Sequence, residues 1–376
     1  MTNTVTNTAA TPDVWIISDG TAGMRLQALA LAEAMGWTAA SGFRDIIVTP
    51  RQPLRSLPRL GRLSYFGSMP MLAPLLPMSS PALPLASAGY PDIVITCGRR
   101  MAGLSIAMRQ SARAKGQPMK TIHIQDPRLD PACFDILLVP AHDPVRGDNV
   151  IVSTGSLNRL TPETIADAAR TLAPKWKNAA FPRVVVMLGG DNRRYKISPA
   201  MASRMVARLD AFARQTRASL AIVPSRRTPP DLIRQLTETL ALNDTHTRHR
   251  LATPQDANPY PGILGVADAI IVTSDSVNMA SEAAITGKAV LIADWHSDIT
   301  TSDAPTSTTT SSNATRPATS MARRQIETGR LAAFHDAMFR GGHTVPLGDT
   351  IPDHDFIPLD DMPAICAQLA NMLARG

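Results

Sequence analysis

Short apolar runs, each ending near a glycine, aspartate or serine and each followed by a helical stretch, recur from Asp13 almost to the end of this sequence. In the first half they are Val14–Ile17, Asp92–Cys97, Thr121–Ile124 and Asp135–Val139. After an interruption the pattern restarts with Arg183–Leu188, Ser219–Val223, Ala269–Val272 and Val290–Ala293. Runs this short and this uniformly apolar predict strands buried on both faces, and such strands alternating with helices predict parallel sheets. Thr161-Pro162 and Ser198-Pro199 read as helix starts, with a hydroxyl cap followed by proline at the first helical position. Two series imply an α/β chain of two Rossmann-like, doubly wound parallel-sheet domains.

The expected division is a floppy tail at 1–12, a first domain at 13–175, a second at 180–345, and a terminal segment at 346–376 with a helix over Asp360–Ala374. Two stretches interrupt it. Leu63–Pro91 has no charged residue and follows Arg51, Arg55, Arg59 and Arg62. Its prolines forbid a regular membrane-spanning helix, and irregular backbone is not tolerated against lipid. It reads either as a connection packed over the first domain or as a basic-apolar patch, residues 51–91, that touches a membrane surface. The second stretch, 297–320, is rich in Ser, Thr and Ala and reads as a disordered insertion.

Charge and cysteines bound the partners. A net charge of +7 favours anionic partners, while aromatic residues at 4% supply few stacking platforms, which argues against nucleic acid. Three widely spaced cysteines, Cys97, Cys133 and Cys366, imply neither a disulfide framework nor a zinc cluster and suit a reducing cytoplasm. The histidines form no metal-ligand spacing, so no metal and no cofactor are expected.

Ligands of open parallel sheets bind beyond the carboxyl ends of the strands, so the loops there hold the candidates. The strongest is Ser274-Asp275-Ser276 with Ser281 and Glu282 just beyond. Small hydroxyl residues at a helix start leave amides open to an anion, and Glu282 lies where it can accept sugar hydroxyls. A plain capped core helix reads the same residues equally well. Ser225-Arg226-Arg227 reads as a diphosphate clamp or as two solvated arginines. Gly189-Gly190, before Asp191 and Asn192, offers close backbone approach to a ligand. In the first half the candidates are Asp19, Gly20 and Gly23, then Arg99 and Arg100, then Gln125, Asp126 and Arg128. Asp19, His123 and Asp126 have the chemistry of a general base, although His123, inside an apolar strand, reads better as a satisfied structural histidine. The dinucleotide and phosphate-loop signatures and the nucleophile elbow are absent.

Several motifs taken together resemble one family. They are Asp19-Gly20-x-Ala22-Gly23, Cys97-Gly98-Arg99-Arg100, His123-Ile124-Gln125-Asp126-Pro127-Arg128, Pro140-x-His142-Asp143, Gly155-x-Leu157-Asn158-Arg159, Pro224-Ser225-Arg226-Arg227-Thr228-Pro229, Asn258-Pro259-Tyr260 and Thr273-x-Asp275-Ser276-Val277. In this order they are similar to the mitochondrial fission elongated-mitochondria family, which includes plant proteins of mitochondrial division and many bacterial relatives. The resemblance implies a GT-B-like fold, two Rossmann-like domains facing a cleft with the nucleotide on the second. It points to Ser276, Ser281 and Glu282 as donor-binding residues, and by position to Asp19 as the acceptor-side base. It adds Asn158 and Asn258 to the cleft. The chain departs from the pattern at 297–320, and it lacks the Gly-Gly-x-Gly loop of many lipid-linked sugar transferases.

Three readings follow. The first is metal-independent sugar transfer from a nucleoside diphosphate sugar, to an acceptor at the inner face of a membrane. The second is a non-catalytic recruiting protein at that membrane, the role the plant members imply. The third is a nucleotide-sugar epimerase.

Overall fold

Each apolar run does form a strand whose residues are buried on both sides, because helices cover both faces of the sheet it joins. The computed structural model describes residues 11–37, 43–50, 78–79, 89–176, 182–191, 196–242, 244, 249–252, 259–295 and 329–375. The expectations for the tail to residue 10, for most of 51–91, for 297–320, for residues 192–194 and for Asn258 lie outside the described residues.

In the first unit the elements are β1 (Val14–Ser18), α1 (Ala22–Ala34), β2 (Arg44–Ile47), β3 (Thr49–Pro50), β4 (Met78–Ser79), β5 (Ile93–Cys97), α2 (Arg99–Ala114), β6 (Lys120–Ile124), β7 (Ile136–Pro140) and β8 (Val150–Ser153). Six of these strands form a parallel sheet in the order β2-β1-β5-β6-β7-β8, and β3 and β4 form a separate antiparallel ribbon. The period-2 alternation sends Ile16, Ile95 and Ile122 to one face with Leu29 and Leu31 of α1, and Trp15, Ile17 and Val94 to the other with Met101 and Met108 of α2.

The second unit contains α3 (Pro162–Trp176), β9 (Arg183–Leu188), α4 (Pro199–Thr216), β10 (Ser219–Pro224), α5 (Pro230–Thr239), β11 (Arg250–Leu251), α6 (Pro259–Val266), β12 (Ala269–Thr273), α7 (Val277–Ala284), β13 (Ala289–Ala293), α8 (Arg330–Arg340) and β14 (Val345–Pro346). Its sheet runs β11-β10-β9-β12-β13-β14, all parallel. Val184, Val186 and Leu188 pack with Leu209 and Phe212 of α4 and Leu232 and Leu236 of α5. Val185 and Met187 face the opposite way, into a core with Ile263, Ala280, Ala283, Phe334 and Met338. The last helix, α9 (Met362–Ala374), packs on α1 and β8 through Ile365 and Leu369.

The units therefore comprise residues up to Arg159 together with those from Asp360 on, and Leu160–Leu359. This differs from the expected boundary at 175–180 and from a separate 346–376 segment. Helix α3 follows the first sheet in sequence but packs with α6, because α6 carries glycines where it meets α3. A Cβ on Gly262 would lie 2.8 Å from the Ala168 carbonyl oxygen, and one on Gly265 2.5 Å from the Ala169 Cβ. At the other end, Asp361 accepts the amides of Thr154 and Gly155 at 2.6 and 2.9 Å, which ties the start of α9 to the end of β8.

In each sheet the order reverses once, after β2 in the first unit and after β11 in the second. The reversal falls between β1 and β5 in one unit and between β9 and β12 in the other. Helices leave the two flanking strands on opposite faces at such a point, opening a crevice at the carboxyl ends.

Candidate ligand site at the carboxyl edge of the second sheet

Strand β12 ends at Thr273, and the next residues turn sharply into α7. Ser276 is the N-cap of α7, its Oγ accepting the Met279 amide at 3.3 Å. First-turn amides have no intrahelical acceptor, so this cap leaves those of Val277 and Asn278 directed beyond the helix start. The side chain of Asp275, none of it exposed, turns back across the reversal point. Its carboxylate accepts the Gly190 amide at 3.0 Å, the Arg227 Nη2 at 2.9 Å, the Trp295 Nε1 at 3.0 Å and the Thr273 hydroxyl at 2.7 Å. Arg227 also donates through Nη1 to the Gly190 and Asp191 carbonyls, at 3.2 Å each. Gly189 donates its amide to Thr273 Oγ1 at 2.7 Å.

These contacts change the meaning of three expected features. The glycine pair gives close approach not to a ligand but to the protein. A Cβ on Gly189 would fall 2.0 Å from Asp275 Oδ1, and one on Gly190 1.9 Å from the Arg227 carbonyl oxygen. Arg227, although 41% exposed, is paired with Asp275 and braces the turn, and Arg226 beside it is exposed as well. Asp275 itself ties the ends of β9, β10 and β13 to that of β12. What the turn offers outward is the start of α7 and the exposed cation at 226.

Ser225 and Thr228 complete the loop after β10, Ser225 Oγ accepting the Arg227 amide at 3.2 Å and Thr228 Oγ1 donating to the Gly189 carbonyl at 2.6 Å. Ser274 is wholly buried and its hydroxyl donates to Asp294 at 3.3 Å. Ser281 is also buried, and its hydroxyl bonds back to the Val277 carbonyl at 2.9 Å. Glu282 accepts a short hydrogen bond from the Tyr260 hydroxyl on α6. Burial raises the Glu282 carboxyl above its ordinary value, against the opposing pull of that bond, and burial beside Glu282 raises Tyr260 well above its own. Burial of this kind disfavours the charged carboxylate. A carboxyl whose pKa is higher folded than unfolded contributes stability below its unfolded pKa and loses it as pH rises through the folded one. Glu282→Gln keeps an acceptor for Tyr260 and removes the charge. It is expected to raise the melting temperature at pH 8 and leave it unchanged at pH 4, in thermal scans against the parent.

In the first unit, the reversal point carries Asp19 after β1 and Arg100 in the first turn of α2. Their ion pair spans it at 2.9 Å, with 7% of the Asp19 side chain and 30% of the Arg100 side chain exposed. Burial pushes the Asp19 carboxyl up, but bonds from Thr21, including its amide at 3.0 Å, and from Arg100 outweigh it and hold the group below the usual carboxylate range. Gly20 and Gly98 have φ of +76° and +81°, and Gln125 and Arg128, without being glycine, have φ of 74° and 60°. A loop held in that region by non-glycine residues is over-determined by its surroundings. Arg128 pairs with the buried Asp126 at 2.9 Å, and the Asp126 backbone N–H donates a hydrogen bond to Asp143 Oδ2 at 3.3 Å. Gly23 lies within α1 and Arg99 is exposed at the start of α2. Asn158, in the loop after β8, bonds to the Ser156 carbonyl at 3.3 Å. His123 is buried in β6, stacks on Phe134 at 4.9 Å and shares a 2.7 Å bond with Thr96 through Nδ1. Its Nε2 has no partner among the described residues, so it is only half satisfied, and burial pushes its pKa down to about 3, which keeps it neutral.

The structure thus groups Asp19, Gly20, Arg100 and Gln125 around one sheet edge, and Gly189, Gly190, Ser225, Arg227 and Ser274–Ser276 around the other. Ser281 and Glu282 lie deeper in α7. Sequence reasoning gave no role to Thr273 or Tyr260, although both stand in the motifs Thr273-x-Asp275-Ser276-Val277 and Asn258-Pro259-Tyr260, and it missed Trp295 and His335, whose partners are remote in the chain. No cluster of metal-binding side chains occurs among the described residues.

Two parallel α/β units of six strands each, with polar loops at both reversal points, place the protein in the GT-B fold class. The fold is similar to that of UDP-GlcNAc 2-epimerase from Methanocaldococcus jannaschii, with a TM-score of 0.52 and 11% identity over 96% of this chain and 99% of that one. The chain belongs to the mitochondrial fission ELM1 family, whose model matches residues 22–373. An uncharacterized protein of Rickettsia prowazekii is 26% identical over 314 residues, 74% of this chain and 82% of that one. The mitochondrial fission protein ELM1 of Arabidopsis thaliana is 28% identical over 226 residues, 54% of this chain and 51% of that one, so this chain spans about half the plant relative's length.

Proposed function

We propose that the second unit binds a nucleoside diphosphate sugar, its pyrophosphate at the start of α7 and beside Arg226. One observation carries the reading. The turn Ser274–Ser276 is braced at the β9/β12 reversal point so that a helix start faces outward, and such a start attracts anions through its amides and its dipole. The first-unit counterpart is Asp19, a carboxylate that stays charged through the neutral range and sits at the β1/β5 reversal point of its own sheet. In this reading it takes the proton of an acceptor hydroxyl, the diphosphate leaving group is stabilised by amides and an arginine, and the reaction is sugar transfer. A structure of the archaeal epimerase holds UDP-GlcNAc and UDP, which supports a nucleotide on this fold.

A second reading, a recruiting protein at a membrane surface, draws support from the same site. Arg227 is matched by Asp275 and Glu282 is engaged by Tyr260, so both charged groups have protein partners. Among the described residues no helix is long and apolar enough to cross a membrane. Titration calorimetry with uridine, guanosine and cytidine diphosphates separates the readings. Saturable binding of one of them is expected, and silence from all at millimolar concentration overturns the first reading in favour of the second. Incubation with UDP-GlcNAc and analysis of the sugar then tells transfer from epimerisation at C2.

A further inference from the structure

Helix α8 reaches the candidate turn with one residue. His335 is wholly buried, its ring edge-on to Phe334 at 5.0 Å and stacked on Phe339 at 6.2 Å, and its Nε2 lies 2.7 Å from the Ser274 carbonyl oxygen. A carbonyl only accepts, so Nε2 carries the hydrogen in this bond.

Ser274 is gripped from a second direction. Its amide donates to the Ala293 carbonyl at 2.9 Å and its hydroxyl to Asp294 at 3.3 Å, while Trp295 Nε1 holds the neighbouring Asp275 at 3.0 Å. Asp294 and Trp295 are the last described residues before 296–328, and α8 opens just after that stretch. Both flanks of that stretch therefore close on the same turn, at Ser274 and Asp275, just ahead of the start of α7. Nothing in the β9–β12 pairing requires this: the strands end at Leu188 and Thr273, before the turn begins.

We propose that His335 is a positioning residue for the Ser274–Ser276 turn, through which docking of α8 and anion affinity at the start of α7 are linked. It touches no ligand; it acts through the Ser274 carbonyl. The proposal rests on the nucleotide reading for its ligand but not for its structural half. By linkage, a ligand that needs the turn in this arrangement also strengthens the docking of α8.

The test compares His335→Leu, which fills the space without a donor, with His335→Gln, which restores an N–H. Hydrogen exchange of the free proteins is read first. Faster exchange over 274–280 in the Leu variant, reversed in the Gln variant, with the amides of β9 and β10 unchanged, is expected. Equal exchange in parent and Leu variant overturns the proposal, whether or not a nucleotide binds. Uridine diphosphate is then titrated: the Leu variant is expected to bind about tenfold more weakly, within the usual range of such couplings, and the Gln variant like the parent. Unchanged affinity overturns the link. If the parent itself binds no nucleoside diphosphate, the nucleotide reading fails while hydrogen exchange still decides the role of His335. Should His335→Leu not fold, His335→Met, an unbranched side chain that adapts to an irregular space and has no donor, is read in the same two ways.

Discussion

Gly190→Ala is expected to cost more than about 3 kcal/mol, the top of the range for overpacking a well-filled site, and to lower the melting temperature of the second unit by about 6–12 °C on the scaling for domains of this size. The reason is the neighbour. A Cβ at this position would sit 1.9 Å from the Arg227 carbonyl oxygen, 2.2 Å from its carbon and 2.6 Å from the Thr228 nitrogen, all of them backbone. A flexible side chain would swing away; this backbone is held from both sides. The Asp191 amide donates to the Arg227 carbonyl at 3.0 Å, and Arg227 Nη1 donates back to the Gly190 carbonyl at 3.2 Å. Relief therefore means separating the loop after β9 from the loop after β10, which is the separation Asp275 exists to prevent. Gly348→Ala is the control, since its Cβ meets nothing within 4 Å, and it is expected to change stability by less than about 0.5 kcal/mol. Thermal and urea melts of the two variants side by side check this; equal melting would mean that the close approach is not real.

Removing the Asp275 carboxylate is expected to be as damaging by a different route. Asp275→Ala strands four donors at once: the Gly190 amide, the Trp295 indole, the Thr273 hydroxyl and one arm of Arg227. Arg227 is 41% exposed, so water solvates it once the carboxylate is gone and the lost ion pair itself costs little; the damage comes from the buried donors, each of which costs about 1–3 kcal/mol without an acceptor where water cannot reach it. Asp275→Asn keeps one oxygen but turns an NH₂ toward donors, so it is expected to fall between the parent and the alanine variant. Urea denaturation gives the order directly. An alanine variant as stable as the parent would show that the carboxylate holds nothing. Because Gly190 and Asp275 share a bond, the double variant is expected to lose less than the sum of the two.

Both predictions concern a place that the sequence marked without explaining. The motifs Gly189-Gly190, Arg226-Arg227 and Ser274-Asp275-Ser276 stand out as turn chemistry after apolar runs, and each does sit at the carboxyl end of a strand. Their mutual roles were not legible. The Gly190–Asp275 bond joins residues 85 apart, and Arg227–Asp275 joins residues 48 apart. Those partners meet only because β12 is laid beside β9 after β10 and β11 have gone the other way. The strands that escaped sequence reading make the same point. β2 reads Arg-Asp-Ile-Ile, half of it exposed at a sheet edge, and β8 opens with a half-buried valine and exposes another, so neither looks like a strand buried on both faces.

What this chain's sequence determined alone is the kind of layer it builds: period and apolar run length act over a few residues, and burial on both faces leaves a parallel sheet under helices as the consistent outcome. Tertiary structure alone decided which helix belongs to which unit, as α3 and α9 show, and which polar groups are free to meet a ligand. The physical reason is range. A strand's pattern is set by its own side chains, whereas the charge on Arg227, the aim of α7 and the grip of His335 each depend on a donor or acceptor brought from a distant strand end by the order of the sheet.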